Sequence, residues 1–462
     1  MSSAGSGQVL MPVEAEAGVE SLKQYALKDI GGPQWSVQHE VIEKLNMQAI
    51  VNASNQEDEF VKDFLISCDK LSVLIYDLLA TEVWKEKIFS EILNIDGFEP
   101  KTTFPLYMVL YHEATVINLL ETTMFYREVC EATEDNVLDL VDYCYRKLTQ
   151  LVARNEETEE VKDEAIEVTD SVSAMAHASN IEELEKQDRR LNFEICIKAV
   201  SLLRYIIDHL ESLPLSAMTR LLNTHDIPQL LVELIECPPW SHRKNGKQYK
   251  YIDGKWVYVD FADSLKLTKI EGQVWLSIFQ LLMSQSCQQK YELDTYRKNT
   301  ILKLRAFLTE PMLDQIPALG ELQRYLEHLS MMDPPAPRRE VILEQVPEVR
   351  DTILRSNAGK WRKIAKKQIK SFFDPSTSDL KMQAKRWADT YNFDVIEGLL
   401  SDPPKCARCG EDASKRCSRC QNEWYCGREC QVSHWSKHKQ ACDLMFNSIN
   451  KLKEQQTLAV AT

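Results

Sequence analysis

Seven of the chain's 13 cysteines fall between Cys406 and Cys442, in the order Cys406-x2-Cys409-x7-Cys417-x2-Cys420-x5-Cys426-x3-Cys430-x7-His438-x3-Cys442. Zinc takes four nitrogen or sulfur ligands in a tetrahedron, and a Cys-x-x-Cys turn supplies two thiolates from one knuckle. Cys426 and Cys430, like His438 and Cys442, are four residues apart, so each pair lies on one face of a helical turn. Four pairs make two complete sites with no open position, which is the signature of structural zinc. His434 also stands four residues from Cys430, so spacing alone leaves it in competition with His438.

The rest of the chain places this cluster in a soluble, multi-unit protein. It has 462 residues, 44% apolar and 27% charged, with a formal net charge of -15. That length accommodates more than one cooperative unit, and the acidic balance disfavours nucleic acid and anionic lipid. The first twenty residues have no basic start and no long apolar run, and no stretch is apolar enough for a transmembrane span. We therefore expect a cytosolic or nuclear protein, whose clustered cysteines bind metal instead of forming disulfides. Cys68, Cys130, Cys144, Cys196, Cys237 and Cys287 are scattered through apolar segments and read as small core residues.

Apolar residues recur at helical spacing over 21–153, for example Leu71, Leu74, Ile75 and Leu78, and again over 191–237 and 263–330. Residues 1–20 read as disordered. Residues 154–190 hold twelve acidic and five basic residues and read as an acidic disordered insertion. Tyr249 to Val259 alternates β-formers around Asp253-Gly254, a two-residue hairpin signal. Asp69–Leu79 and His225–Ile235 echo each other, each followed by a tryptophan (Trp84, Trp240), with Asp135–Val141 a weaker third copy. Stacked helical repeats of the armadillo or HEAT kind produce such echoes. The fold expected is all-α: an irregular helical-repeat body over 21–330 with one small β-hairpin, then the zinc module at 405–443 and a tail at 444–462. Residues 331–404 form a proline linker, with Pro334, Pro335 and Pro337, and a basic segment. In that segment Gly359 to Arg386 carries nine Lys or Arg against two Asp. Trp361, Ile364, Ala365, Ile369 and Phe372 share one face there, and the cations form a solvated face opposite.

The cysteine pattern resembles the MYND zinc finger family, with five residues between Cys420 and Cys426 where four is common. That family is cross-braced. The resemblance implies that Cys406, Cys409, Cys426 and Cys430 hold one Zn²⁺ and that Cys417, Cys420, His438 and Cys442 hold the other, with His438 in place of His434. MYND fingers take proline-rich peptides in a shallow groove, and the matching positions here are Gln431 and Trp435; a packing role for Trp435 is the competing reading. Residues 405–462 carry ten Lys or Arg and six acids. With seven thiolates and two Zn²⁺ the tail is about +1, too little for phosphate-driven binding.

MYND modules also occur beside SET methyltransferase domains, but the Asn-His-x-x-x-Pro-Asn type motif is not in this sequence. Neither are G-x-x-x-x-G-K-[ST], G-x-G-x-x-G or G-x-S-x-G. With only 14 glycines and the other histidines isolated, we expect no enzyme. EKLNMQAI (Glu43 to Ile50), NLLET (Asn118 to Thr122), LDLVDYC (Leu138 to Cys144), KLRAFLT (Lys303 to Thr309) and ASKRCSRCQNEWYC (Ala413 to Cys426) resemble a family of axonemal dynein-arm assembly factors that end in a MYND finger. The resemblance implies a cytoplasmic adaptor or co-chaperone for ciliary motility. Its implied partners are a leucine-rich-repeat assembly factor, cytosolic chaperones and dynein chains as clients. The alternative is a nuclear corepressor-type adaptor that recruits proline-rich partners through the finger.

Overall fold

The computed structural model describes residues 9–95, 98, 100, 102–154, 181–244, 246–260, 263–333, 345–373, 406–411, 413, 415–419, 423–435, 438, 439 and 442. Two compact units divide the chain, residues 8–390 and residues 391–462 with the first seven. Among its described residues the larger is all-α apart from one small sheet.

Its centre is the helix Ile181–Asp208, which packs against the helices Phe104–Thr123, Val137–Ala153 and Lys269–Met283. The Phe104 helix in turn packs on Pro33–Asn55 and Leu71–Val83. Leu106, Val109, Leu110, Val116, Ile117, Leu119 and Leu120 are buried all round it, as expected of a helix wrapped by others. Local chemistry starts these elements where they start. Pro33 occupies the first turn after Gly32, where its missing N–H costs nothing. Thr268 and Glu271 form a reciprocal capping box at the Lys269 helix. The three sequence echoes have a backbone counterpart: Asp69, Glu134 and Asp226 all adopt left-handed φ, at 52°, 48° and 48°, just ahead of a helix. Trp84 and Trp240, the tryptophans that follow two of them, are buried. The helices stack irregularly, and no armadillo or HEAT register is assigned to them.

The hairpin forms as the sequence predicts. Asp253 and Gly254 have φ of 47° and 80°, the two left-handed residues of a turn that matches strand twist. They join β2 (Lys247–Ile252) to β3 (Lys255–Val259), and β1 (Ser241–Lys244) adds a third antiparallel strand with Ser241 opposite Lys250. Tyr251 and Trp256 clamp the sheet onto Phe193 of the central helix, with ring centroids 5.0 and 5.8 Å away.

Several expectations are corrected. Within the N-terminal segment read as disordered, Pro12–Ser21 is a helix with Ala15 and Val19 fully buried. Small residues on one face let it lie close: a Cβ at Gly18 would be 3.2 Å from Val41. Residues 1–8 lie outside the described residues, as do 155–180 of the acidic insertion. Its last stretch, from Ile181 on, belongs to the central helix and buries Leu184. Of the six scattered cysteines, Cys68 is half-buried and Cys237 exposed, so neither is a core residue; the other four are buried.

The largest correction concerns residues 331–404, of which 334–344 and 374–404 lie outside the described residues. Helices Val349–Asn357 and Trp361–Gln368 fold back onto the body, the first against Leu71–Val83, the second against Leu27–Asp29 and the Trp84–Phe89 turn. Gln368 is fully buried. Its Nε2 donates to the carbonyls of Leu27 (2.8 Å) and Ile30 (3.1 Å), and its Oε1 accepts from Trp84 Nε1 (2.9 Å). The helix then widens into a π-turn over Ile369–Phe373. The wider turn advances the register by a residue, so Phe373, not Phe372, enters the core beside Trp84.

A buried charge network ties these helices together. Glu113, with its side chain fully buried, accepts from Lys147 Nζ at 2.6 Å and Tyr143 OH at 2.8 Å, and its other oxygen lies 3.6 Å from Lys85. Glu82 holds Arg146 through both oxygens and lies 3.5 Å from Arg350 Nε, which brings the folded-back segment into the same network. Burial opposes ionisation of Glu113, but the charges of Lys147 and Lys85 outweigh it and draw the carboxyl down to about 2.

Candidate metal centre

In the smaller unit, a short antiparallel pair positions the ligands. β4 (Lys415–Arg416) and β5 (Trp424–Tyr425) pair with Lys415 opposite Tyr425, so that Cys417 and Cys426 leave at opposite ends. Cys417 N–H donates to the Glu423 carbonyl at 2.8 Å, closing the loop between the strands. The first knuckle turns through Gly410, left-handed at φ 73°, whose N–H donates to the Cys406 carbonyl at 2.9 Å. Ala407 N–H donates to the Trp424 carbonyl, also at 2.9 Å, and so fastens the knuckle to β5. Residues 428–435 are helical and carry Cys430, Gln431, His434 and Trp435.

This path interleaves the pairs. The ligand atoms of Cys406, Cys409, Cys426 and Cys430 all lie within 4.8 Å of one another, and so do those of Cys417, His438 and Cys442. Cys420 lies outside the described residues. Zn–S bonds of about 2.3 Å at tetrahedral angles put sulfurs about 3.8 Å apart. The observed separations are 3.5 Å for Cys409–Cys426, 3.5 Å for Cys426–Cys430, 3.9 Å for Cys430–Cys409 and 3.8 Å for Cys417–Cys442. These are far beyond a disulfide bond of about 2.05 Å and fit a shared cation. Electrostatics agree. Burial opposes ionisation of Cys406, but N–H groups of Cys409, Cys426 and Arg408 outweigh it and draw the thiol down to about 6. The Cys409, Cys430 and Cys406 sulfurs push Cys426 up to about 12. Four sulfurs this close cannot all ionise against each other, and a bound dication removes the conflict.

His434 belongs to neither group. Its Nδ1 meets the Tyr425 hydroxyl at 3.1 Å, and its ring stacks on His438 at 6.2 Å. His438 is buried. Trp435 stands edge-on to His438 at 5.9 Å and packs, half-buried, on the small core of Cys406, Cys417, Tyr425 and Cys442. Gln431, four residues earlier on the same helix, is also half-buried.

The MYND finger family model matches residues 406–442. Along 453 residues the chain is 32% identical to the zinc finger MYND domain-containing protein 10 homolog of Drosophila melanogaster, covering 93% of this chain and 98% of that one. The chain belongs to the zinc finger MYND domain-containing protein 10 family. Two further relatives match only locally. Tudor domain-containing protein 1 of Mus musculus is 40% identical over 52 residues, 11% of this chain and 4% of that protein. Ubiquitin carboxyl-terminal hydrolase 19 of Arabidopsis thaliana is 44% identical over 45 residues, 10% and 7% of the two chains. No solved structure matches the chain. As a member of the MYND domain-containing protein 10 family, the chain carries a double-zinc finger whose role is protein interaction. Among the described residues no helix is long and apolar enough to cross a membrane.

The body holds polar clusters that the sequence reading passed over as isolated histidines. His39 Nδ1 and His112 Nδ1 are 2.6 Å apart, and His112 Nε2 lies 2.9 Å from Asp77 Oδ2, all fully buried beside Trp35. Burial, then the neighbouring His112, hold His39 well below its usual pKa. An uncharged His39 donating from Nδ1 to His112 Nδ1, with His112 Nε2 donating to Asp77, accounts for both contacts. His225 Nε2 meets Asp142 Oδ1 at 2.5 Å beside Arg220. These partners are 35 to 83 residues apart, so no local motif signals them.

Proposed function

We propose that the chain is a non-enzymatic cytoplasmic adaptor that helps assemble axonemal dynein arms. The observation that carries this reading is a likeness to the Drosophila relative along nearly the whole of both chains, finger and body together. The resemblance of Glu43–Ile50, Asn118–Thr122 and the other quoted segments to dynein-arm assembly factors supplies the pathway. Four thiolates complete a tetrahedral shell at the Cys406 site, which favours a structural metal with no position for water or substrate. Three of the four lysines lining the groove between the sheet and the central helix, about 790 Å³ in volume, are already paired: Lys198 with Glu121, Lys250 with Glu271 and Lys266 with Asp263.

In this reading Gln431 and Trp435 take a proline-rich segment of one partner. The helical body takes another, from among a leucine-rich-repeat assembly factor, cytosolic chaperones and dynein chains. Joining two partners on one chain raises their effective concentration. Removing the gene from ciliating cells should leave cilia present, immotile and depleted of dynein arms, and the tagged protein should be cytoplasmic. Trp435→Ala should weaken finger-dependent capture with zinc content unchanged. Normal arms in the knockout reject the assignment, and a predominantly nuclear protein favours the corepressor-type adaptor.

A further inference from the structure

The segment Trp361–Phe373 divides its residues sharply. Ile364, Ala365, Gln368 and Phe373 are buried, while Arg362, Lys363, Lys366, Lys367 and Lys370 are exposed. Arg362, Lys366 and Lys370 form a column at four-residue steps, and Lys363 and Lys367 a second column beside it. The stripe covers about 12 Å of helix. Lys28 is exposed on the Leu27–Asp29 turn that this helix packs against.

Among the described residues none of these five cations makes an ion pair. Elsewhere on the body Lys198 pairs with Glu121 and Lys303 with Glu236, while Lys247, Arg305 and Arg324 are exposed without an ion pair among the described residues; what sets the stripe apart is five such cations within one short length of helix. Like charges four apart on a helix repel and weaken it. The chain as a whole is at -15, so acidic side chains to pair with were abundant. A basic stripe with no ion-pair partner among the described residues is complementary to an anion.

We propose that this stripe is a docking site for a short acidic segment of a partner protein. A membrane is disfavoured because the helix has no free apolar face to insert: Ile364, Ala365 and Phe373 are committed to the core. A nucleic acid is disfavoured because its charge continues beyond the patch. At a screening length of about 8 Å the stripe attracts only what lies on it, and a longer polyanion gains little beyond it from a chain whose net charge is -15. A segment of a few Glu or Asp residues ends where the stripe ends. The site lies in the body and involves neither the finger nor the pathway proposed above.

The test uses the full-length zinc-loaded chain and a fluorescein-labelled polyglutamate peptide of about twelve residues, followed by anisotropy at about 0.15 M salt. The triple variant K363E/K366E/K367E should bind roughly ten-fold or more weakly than wild type. The charge-matched triple K247E/R305E/R324E, on other exposed elements, should bind within about two-fold of it, as should Trp435→Ala. Unchanged helicity and melting establish that the first triple is folded, which its exposure predicts. The proposal is overturned by absent peptide binding in wild type, by equal losses in the two triples, or by tighter stripe-dependent binding of phosphatidylserine vesicles or single-stranded RNA than of the peptide. Each of these outcomes leaves the finger and its partner capture as a separate question.

Discussion

Replacing Glu113 by leucine should destabilise the body by about 3 kcal/mol, and adding Lys147→Met should return a large part of that loss. Glu113 is wholly buried and Lys147 nearly so, 2.6 Å apart. The fall of the Glu113 carboxyl from 4.5 to about 2 converts, at about 1.4 kcal/mol per unit, to about 3 kcal/mol favouring the folded anion. Removing the carboxylate leaves a buried ammonium, a change that costs about 3–5 kcal/mol. Glu82, 3.8 Å from Lys147, moderates the cost towards the lower figure. Removing both charges leaves an apolar pair of similar volume, which buried ion pairs tolerate far better than loss of one partner. The assay is urea unfolding followed at 222 nm on the zinc-loaded chain, with midpoints compared at equal slope. Acid adds a signature. Because the folded pKa is depressed, the stabilisation is complete above about 4.5 and is lost as pH falls towards 2, so the difference between wild type and Glu113→Leu should shrink across that window. A Glu113→Leu protein within about 1 kcal/mol of wild type, or a double variant no more stable than the single one, would refute the reasoning.

Exhaustive chelation should unfold the finger, with Cys430→Ala doing the same, while the helical body keeps its cooperative melt; metal analysis of the intact chain should return two zinc ions per chain, about 10–16 kcal/mol of binding energy each in comparable fingers. Gly31→Ala should cost roughly 2 kcal/mol or more in thermal or urea unfolding, because Gly31 sits at φ 82° and a Cβ would lie 2.7 Å from the Phe373 ring. Asp139 is raised to about 6, chiefly by burial against the help of the Val349 N–H. A raised folded pKa gives stability that is present below the unfolded value near 3.8 and lost as pH rises through 6. Asp139→Asn should therefore be more stable than wild type at pH 7 to 8 and lose that advantage near pH 4, as read from unfolding midpoints across pH.

The parts that were legible in the sequence are those set by neighbours along the chain. Paired cysteines at two- and three-residue gaps announce zinc because ligand pairs must come from single turns. Asp253-Gly254 announces its hairpin because the turn needs two left-handed residues in succession. The parts that were not legible depend on partners far away. Gln368 reads as one polar residue in a basic helix until its partners, Leu27 and Ile30, 341 and 338 residues distant, are known. His39 and His112 look isolated for the same reason. The Pro12–Ser21 helix has too little apolar content to declare itself and is ordered by the surface it lies on. Period 3.6 gives the buried face of the Trp361 helix through Ala365 and then puts Phe372 where Phe373 is buried, because a π-turn cannot be read from that period.

The packing of Gln368 against Trp84 also dictates a timetable for synthesis. The two residues are 284 apart in sequence. At about 5–20 residues per second, roughly 15 to 60 s pass between the ribosome releasing one and making the other. For that interval Trp84, Leu27, Ile30 and their neighbours have no cover, and the nascent chain presents apolar surface of the kind that holding chaperones bind. Completion of the N-terminal core thus waits on residue 373. A premature stop anywhere between 84 and 373 would trap the chain in that uncapped state, so a truncation meant only to remove the finger must end beyond it.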